Sequence, residues 1–374
     1  MKVPPQTQTS SPLYVSRPDL PNLEDTYKYL EQIKSARYLT NNGPVLQTFE
    51  AALRDYLSAP HISVFSNGTL ALQSALAGFN LSGTVITTPY SFVATAHILK
   101  PLGLTPRFVD IDPETLCIDP QHIEAAIDKD VCAILGVHVY GTPCDVEAIE
   151  AIARKHKLKV IYDAAHAFGI EYKGQSLLSY GDASVLSFHA TKSFHSVEGG
   201  AIITPHSQLD EWVRVYRNFG LDSHGSALFE GINGKMSELH AAIGMLNLER
   251  FEVQRDMRKH VVETYKRELA DIPGIQLIAP NSDATQNYGY MPIRITADYG
   301  LDREALVHAF EEHNIYPRRY FYPLITDMPA YAEHKQLFPI ASKVADEILC
   351  LPLFHDMDVQ EQDSVIAVLK HHAQ

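Results

Sequence analysis

Seven short apolar segments, separated by stretches with helical periodicity, are the feature that most limits the fold of this chain. Near-continuous apolar runs of about four to eight residues are typical of strands that are buried on both faces. Strands that alternate with helices form a mostly parallel sheet with helices on both sides, so the sequence predicts an α/β protein. The predicted strands are Ile62–Phe65, Thr84–Thr88, Arg107–Ile111, Cys132–Val139, Leu158–Tyr162, Ala183–Phe188 and Ala201–Thr204.

Two of these strands end close to side chains that can do chemistry. Asp163 follows the run Lys159–Tyr162, and Lys192 follows the run Ala183–Phe188. Parallel strands end at one edge of a sheet, where open α/β proteins bind ligands. Asp163 alone could be a helix cap, and Lys192 alone could be a solvated loop residue. Together they match the needs of pyridoxal phosphate, whose ring nitrogen pairs with an acid and whose aldehyde bonds covalently to a lysine.

Other strand ends provide candidates for the remaining parts of such a site. Ser187 lies shortly before the lysine, and a turn containing Gly68 and Thr69 precedes a helix. Backbone N–H groups at the start of a helix are suited to a phosphate, although Asn-Gly turns are also common without one. Phe92 or Tyr90 could stack on the cofactor ring, or either could be an ordinary core aromatic.

Several further residues are candidates for cofactor or substrate contacts. His166 could touch the cofactor's phenolic oxygen or ring face, or be a core histidine, and His195 is a candidate for substrate binding. Near the C-terminus, Arg318 lies close to Tyr320 and Tyr322. Guanidinium groups bind phosphates and aromatic rings pack on sugars or bases, so this segment suits a nucleotide-diphosphate sugar. The alternative is a solvated strand edge.

A long helical stretch from Glu238 to Leu269, with Ser237 as its cap, links two predicted domains. Residues 1–250 are expected to form an N-terminal arm and a large cofactor-binding α/β domain. Residues 251–374 are expected to form a small α+β domain. Its predicted elements are the strands Tyr288–Ile295 and Ile315–Phe321 and the helices Arg303–His313 and Gln360–His371.

Composition excludes several classes of function. The chain has 374 residues and a net charge of −14, with no stripe of Lys or Arg, so nucleic acid is not an expected partner. No apolar run is long enough to span a bilayer, and the N-terminus has no signal-peptide pattern. Its four cysteines lack metal-type C-x-x-C pairing, so we expect no metal site and a cytoplasmic location with reduced thiols.

Three motifs resemble those of the DegT/StrS-type pyridoxal phosphate-dependent sugar aminotransferases, which have the aspartate aminotransferase fold (fold type I). They are Asp163-Ala164-Ala165-His166, Ser187–Lys192 with Glu198-Gly199-Gly200, and Asn233 with Ser237-Glu238-Leu239. The resemblance implies that Lys192 bonds covalently to the cofactor and that Asp163 pairs with its ring nitrogen. The residues it implies for the phenolic oxygen, phosphate and ring are His166, Ser187, Gly68, Thr69, Phe92 and, from the other subunit, Asn233.

The resemblance also implies a homodimer with its active site at the interface, and transfer of an amino group from L-glutamate to a nucleotide-linked keto-sugar. Residues 163–169 and 316–324 are most similar to members that make dTDP-4-amino-4,6-dideoxyglucose from dTDP-4-keto-6-deoxyglucose. A 3-keto-sugar or a cyclitol as acceptor, a UDP nucleotide, and a non-catalytic ligand-binding protein remain alternatives. The pathway is also open, with O-antigen of lipopolysaccharide, capsule and antibiotic sugars as destinations.

Overall fold

The computed structural model describes residues 11–373. The strands within this range are β1 (Leu13–Tyr14), β2 (His61–Phe65), β3 (Gly83–Thr87), β4 (Leu104–Phe108), β5 (Val131–Val137), β6 (Lys159–Asp163), β7 (Glu171–Tyr172), β8 (Gln175–Ser176), β9 (Ala183–Ser187), β10 (Gly200–Thr204), β11 (Ile275–Leu277), β12 (Pro292–Ile295), β13 (Ile315–Tyr316) and β14 (Ile348–Cys350). The α-helices are α1 (Leu23–Ala36), α2 (Pro44–Tyr56), α3 (Gly68–Gly78), α4 (Ala94–His97), α5 (Pro120–Ala125), α6 (Val146–His156), α7 (Ser207–Tyr216), α8 (Glu238–Leu269), α9 (Arg303–Glu312), α10 (Pro339–Glu347) and α11 (Val359–His372).

The central sheet has seven strands in the order β2-β10-β9-β6-β5-β3-β4. β10 is antiparallel to both of its neighbours, and every other adjacent pair is parallel. Six of these strands match the predicted apolar segments to within two residues. The predicted strand Arg107–Ile111 is displaced, because β4 begins at Leu104 and ends at Phe108. All five residues of β10 are buried, as expected for a sheet covered on both faces. The predicted α/β architecture with a mostly parallel sheet is therefore confirmed.

The sheet topology brings the strand ends of interest to one edge. β6 and β9 are parallel neighbours, so Asp163 and Ser187 both lie at the carboxyl edge of the sheet. β10 runs in the opposite direction and starts at this edge, where Gly200 is opposite Phe65 at the end of β2. The turn after β2, the loop after β9 and the end of β6 therefore meet in one place.

Side-chain caps begin helices α8 and α6, and the one at Ser237 was predicted. The Ser237 side chain accepts a hydrogen bond from the His240 N–H and begins α8, whose bounds match the prediction. Asp145 accepts from the Ala148 N–H and begins α6. Within residues 11–373, none of the helices combines the length and the apolar character needed to cross a bilayer.

The predicted C-terminal strands are shorter than expected. The strand predicted from residue 288 begins only at Pro292, because Tyr288 has a positive φ of 51° that an extended strand does not allow. The strand predicted to reach residue 321 ends at Tyr316, because Pro317 has no N–H to donate to a ladder. Beyond the proline, Arg318 forms one isolated bridge with a residue of β14.

Core residues divide along the length of α8. Ala241 and Phe251 belong to the large cluster that also contains central-sheet residues. Val261 and Tyr265 belong to a second cluster, which includes residues of the three-stranded sheet β11-β12-β14. This distribution supports a division near residue 250, and the two-domain assignment stays a prediction.

The Glu238 carboxylate caps a helix other than its own. It is fully buried, and its Oε2 and Oε1 accept hydrogen bonds from the N–H groups of Val45 at 2.8 Å and Leu46 at 3.1 Å. These N–H groups are in the first turn of α2, which has no partners for them within the helix. A Cβ on Gly43 would lie 2.7 Å from the Glu238 carboxyl carbon, so a side chain there would displace the contact.

Replacing Glu238 with alanine is expected to lower the free energy of unfolding by about 3 kcal/mol, because it leaves two buried N–H groups without acceptors. Denaturant titration at fixed protein concentration measures this loss. Glu249→Ala, at an exposed position on the same helix, is the control and should change stability by less than about 0.5 kcal/mol. Equal losses in both variants would contradict the capping role.

Candidate active site

Lys192 lies in the loop between β9 and β10, and its amine points into the protein. Nζ donates a hydrogen bond to Tyr290 Oη at 3.1 Å. Burial lowers the pKa of Lys192 to about 8, and the nearby charge of Asp163 acts in the opposite direction. A substantial fraction of the side chain is therefore the neutral, nucleophilic amine near pH 8.

Asp163 is the last residue of β6, and both of its carboxylate oxygens are held. Oδ2 accepts from Thr95 Oγ1 at 2.8 Å, and Oδ1 accepts from the Ala165 N–H at 3.1 Å. Burial raises the pKa of Asp163, whereas these two hydrogen bonds and the charge of Lys192 act to lower it. The result is a fixed, poorly solvated carboxyl group that would gain from a cationic or N–H partner.

The His166 ring has a defined tautomer and lies beside Tyr290, the hydrogen-bond partner of Lys192. Its Nδ1 accepts a hydrogen bond from the Tyr140 N–H at 3.0 Å, so the ring proton is on Nε2. Burial and the charge of Lys192 hold the pKa of His166 well below its usual range. The ring centroid is 4.3 Å from that of Tyr290 and 5.9 Å from that of Phe321, which is nearly parallel to it. His166 is therefore a neutral side chain with one N–H to donate.

Gly68 and Ser187 meet at the start of α3. A Cβ on Gly68 would lie 3.0 Å from Ser187 Cβ, and a Cβ on Gly200 would lie 2.7 Å from Gly68 Cα. The chain segments can approach this closely only because two of the residues have no side chain. Asn67 caps the helix by accepting from the Leu70 N–H at 2.8 Å. The start of the helix, which includes the exposed Thr69, lies next to Ser187, and its free N–H groups could hold an anion; we call this place the cradle.

The two aromatic candidates for ring stacking differ in exposure. Tyr90 is fully buried, and its Oη bonds to Tyr140 Oη at 2.7 Å and to the Tyr320 carbonyl at 3.0 Å. Its ring is a core element. Phe92 is 60% exposed, and its stacking role stays a prediction. Asn233 is also exposed, and its backbone forms a bridge with that of Asn218.

The predicted substrate-binding residues are placed around this site without forming one cluster. The Tyr320 ring is 5.9 Å from the Tyr290 ring, and the guanidinium of the exposed Arg318 lies 5.1 Å from the Tyr320 centroid. Tyr322 is 46% exposed and stacks under the guanidinium of Arg303 at 4.2 Å. His195 is buried and lies on the other side of the lysine loop, against Asn247 of α8. Its substrate role stays a prediction.

Three residues that the sequence analysis did not single out belong to the site. Tyr290 contacts Lys192 from 98 residues away, and Thr95 holds Asp163 from 68 residues away. Asn287 donates to the carbonyls of His166 at 2.9 Å and Phe168 at 3.0 Å, which fixes the segment after β6. The signal available for Thr95 was its position shortly after the end of β3, close to another hydroxyl residue, Ser91. No local pattern marks Tyr290 or Asn287.

Comparison with known proteins gives consistent matches over nearly the whole chain. Residues 22–370 match the DegT/DnrJ/EryC1/StrS aminotransferase family. The chain is 44% identical to the dTDP-4-amino-4,6-dideoxy-D-glucose transaminase of Shigella dysenteriae over 96% of this chain and 98% of that protein. It is similar to the crystal structure of DesI in the presence of its TDP-sugar product, with 32% identity and a TM-score of 0.91, covering 97% of this chain and 93% of that one.

The crystal structure of NtdA from Bacillus subtilis with bound cofactor PMP is also similar, with 29% identity and a TM-score of 0.85 over 94% of this chain and 81% of that one. Together with the mostly parallel sheet, these neighbours confirm the predicted fold of type I. The resemblance noted from the sequence motifs is likewise confirmed, and the protein is an enzyme of the sugar nucleotide transaminase class. The chain belongs to the DegT/DnrJ/EryC1/StrS aminotransferase family.

Proposed function

We propose that this chain is a pyridoxal phosphate-dependent aminotransferase that moves the amino group of L-glutamate to C4 of dTDP-4-keto-6-deoxy-D-glucose, giving dTDP-4-amino-4,6-dideoxy-D-glucose. The observation that carries the substrate assignment is the Shigella dysenteriae relative, whose name states this product and which aligns over nearly all of both chains. The position of Lys192 and Asp163 at one edge of the sheet supports the reaction class.

The residues of the site fit pyridoxal phosphate. Asp163 would hold the ring nitrogen, since its buried carboxyl group has a raised pKa and needs a cationic or N–H partner. The cradle at Gly68 and Ser187 suits the phosphate. A Cβ on Gly68 or on Gly200 would crowd it. Lys192 is the amine available for the aldehyde. When bound, the cofactor supplies an aldehyde carbon that captures amines and a ring that accepts electrons.

Lys192 performs two tasks in this account. With a pKa of about 8 it is neutral often enough to act as a nucleophile at physiological pH. When its nitrogen is free, the same amine can take a proton from the substrate carbon that bears the amino group and return it at the acceptor carbon. When Nζ is free, its hydrogen bond to Tyr290 Oη keeps it in a fixed position.

Asp163 and His166 support the lysine from fixed positions. Asp163, held by Thr95 and the Ala165 N–H, would keep a proton at the ring nitrogen. His166 presents its Nε2–H as a neutral donor for the phenolic oxygen, because Nδ1 is already occupied by the Tyr140 N–H.

The substrates are assigned to the open side of the site. Arg318 is exposed and lies over Tyr320, so its guanidinium is available for a diphosphate while the ring supports a sugar. Tyr322 is a further predicted contact on this side, whereas His195 would have to contact a substrate from its buried position against Asn247.

We also propose that the active site is completed by a second copy of the chain and that the enzyme is cytoplasmic. Phe92 and Asn233 are exposed in the single chain, as are Leu23 and Tyr27 on α1, and a partner would cover them. The cysteines are free thiols, in keeping with a reducing compartment. Sedimentation at the mass of a single chain would contradict the dimer.

Product analysis tests the proposed reaction. Purified enzyme is incubated with L-glutamate and, separately, dTDP-4-keto-6-deoxyglucose, its 3-keto isomer and a keto-inositol. We expect the 4-keto sugar to be aminated at a kcat/KM at least about 100-fold above the others, with the amine placed at C4 by NMR. UDP- and dTDP-linked forms of the 4-keto sugar compare the nucleotides.

Preferred amination of the 3-keto isomer or of the inositol would contradict the substrate assignment and leave the aminotransferase chemistry intact. Absence of amination of any acceptor, with no change in cofactor absorbance on adding glutamate, would favour the non-catalytic alternative.

A further inference from the structure

A small cavity lies behind the loop that carries Lys192. Its walls are this loop, the middle of α8 and the chain segments around residues 17 and 355, and we name it the Arg258 cavity. The volume is about 40 Å³, enough for about three water molecules or for one carboxylate group. The ionisable side chains in its lining are Arg17, Asp19, Lys192, His195, Arg258 and His355.

Arg258 has no hydrogen-bond partner for much of its guanidinium group. The residue is only 5% exposed, and Nε and Nη2 find no acceptor among residues 11–373. The closest aromatic contact is the Phe251 ring, whose centroid is 5.7 Å from Cζ. A buried guanidinium without a counter-ion is unfavourable, so an arginine in this position needs an anion.

The acids near the cavity are already engaged by other cations. The Glu361 carboxylate accepts a hydrogen bond from Arg17. Asp19 Oδ2 accepts from Arg250 Nη2 at 2.9 Å, and His355 Nε2 is 3.6 Å from the same oxygen. Asp19 stabilises the charge of Arg258 electrostatically but accepts none of its N–H groups. Within residues 11–373, the guanidinium of Arg258 therefore has no carboxylate hydrogen-bonded to it, because Asp19 is held by Arg250.

The two histidines of the lining are neutral. Burial lowers the pKa of His195 to about 4, so its ring is uncharged at neutral pH, and burial also lowers the pKa of His355. Burial lowers the pKa of Arg258 to about 10, which still leaves it charged. Water could satisfy the free N–H groups of Arg258 but could not balance its charge. A buried guanidinium with free N–H groups, beside neutral histidines and the amine of Lys192, is an arrangement suited to a carboxylate.

We propose that the Arg258 cavity binds the carboxylate group of a small acid. Two sources share this chemistry. One is the amino donor, L-glutamate, and this source rests on the proposed function. The other is a free carboxylate that is held without taking part in turnover. The site itself follows from Arg258 and its surroundings and does not depend on the reaction.

The first arm of the test measures the melting temperature of the holoenzyme in sodium acetate against sodium chloride at equal ionic strength. Acetate is expected to raise the melting temperature of the wild type by about 2 °C at tenfold saturation and to leave that of Arg258→Gln unchanged. Arg255→Gln is the control, because Arg255 lies one turn earlier on α8 and is paired with Glu252 and Asp256. It should respond to acetate as the wild type does.

The second arm distinguishes the two sources through the glutamate half-reaction, followed by cofactor absorbance. If the donor occupies the cavity, Arg258→Gln should raise the KM for glutamate by at least about tenfold without changing the half-reaction with the keto-sugar. An unchanged KM, together with a lost acetate response, assigns the cavity to a free carboxylate. If the wild type does not react with glutamate, the proposed function is contradicted. The acetate measurement would still test the carboxylate site, because it does not depend on turnover.

Acetate responses of equal size in the wild type and Arg258→Gln would overturn the proposal, as would no response in the wild type. If Arg258→Gln folds poorly, Arg258→Lys replaces it in both arms. That variant keeps the charge but loses the fork of N–H groups, so its acetate response should be reduced and not abolished. A lysine variant with a full response would also contradict the assignment to Arg258.

Discussion

Replacement of Lys192 with alanine is expected to abolish sustained turnover, with kcat lower by at least about 10⁴-fold. The amine is both the nucleophile for the cofactor and the group that moves the proton at the substrate carbon, so its removal affects both half-reactions. Lys192→Arg should be equally inactive, because a guanidinium stays protonated. Multiple-turnover assays with glutamate and the keto-sugar measure the loss.

The matched control is Lys155→Ala, at an exposed lysine whose only ionic partner in the described chain is Glu124. It should retain full activity. Sustained turnover by either Lys192 variant, after removal of any contaminating wild-type enzyme, would refute the role of this residue.

The pKa of Lys192 gives the same prediction a second readout. In the apoenzyme, the rate of covalent capture of pyridoxal phosphate should rise with pH with a midpoint near 8, where the amine loses its proton. Because burial depresses this pKa from 10.5, the unfolded chain binds more protons between about pH 8 and 10. The stability contribution of Lys192 therefore increases with pH across that window. A capture midpoint near 10 would contradict the buried amine.

Asp163→Asn is expected to reduce the rate of both half-reactions by roughly 10²- to 10⁴-fold. The amide has the size of the carboxylate and can still accept from Thr95, but it cannot balance the charge of a protonated ring nitrogen. Single-turnover measurements of cofactor absorbance follow each half-reaction separately.

A graded control for this prediction is Thr95→Val. It removes the 2.8 Å hydrogen bond to Oδ2 and keeps the charge of Asp163, so a loss of only about tenfold is expected. Equal losses in Thr95→Val and Asp163→Asn would indicate that orientation of the acid matters more than its charge. A fully active Asp163→Asn enzyme would contradict the pairing with the ring nitrogen.

The parts of the site that were predictable are those whose position depends on one strand and its direction. Asp163 and Ser187 end neighbouring parallel strands, and buried parallel strands are readable as apolar runs. The helix bounds of α8 were predictable because Ser237 is a strong cap at its start. Lys192 could be placed because it follows one of these strands directly.

The contribution of residues from distant parts of the sequence to the site was not predictable. Tyr290 reaches Lys192 from the segment before β12, and its position depends on how the C-terminal part packs on the central sheet. Arg258 lies on an amphipathic helix where an arginine is most often solvated, so its burial follows from packing alone. The early end of β13 depends on Pro317, which interrupts the pairing although the aromatic residues Tyr320 and Phe321 follow a few positions later.

Borohydride reduction of the holoenzyme, followed by peptide mass spectrometry, tests the central claim most directly. We predict one modified peptide per chain, in which Lys192 alone carries the mass of the reduced pyridoxyl phosphate group. A modified lysine at any other position, or a holoenzyme in which Lys192 is recovered unmodified, would contradict this account of the site.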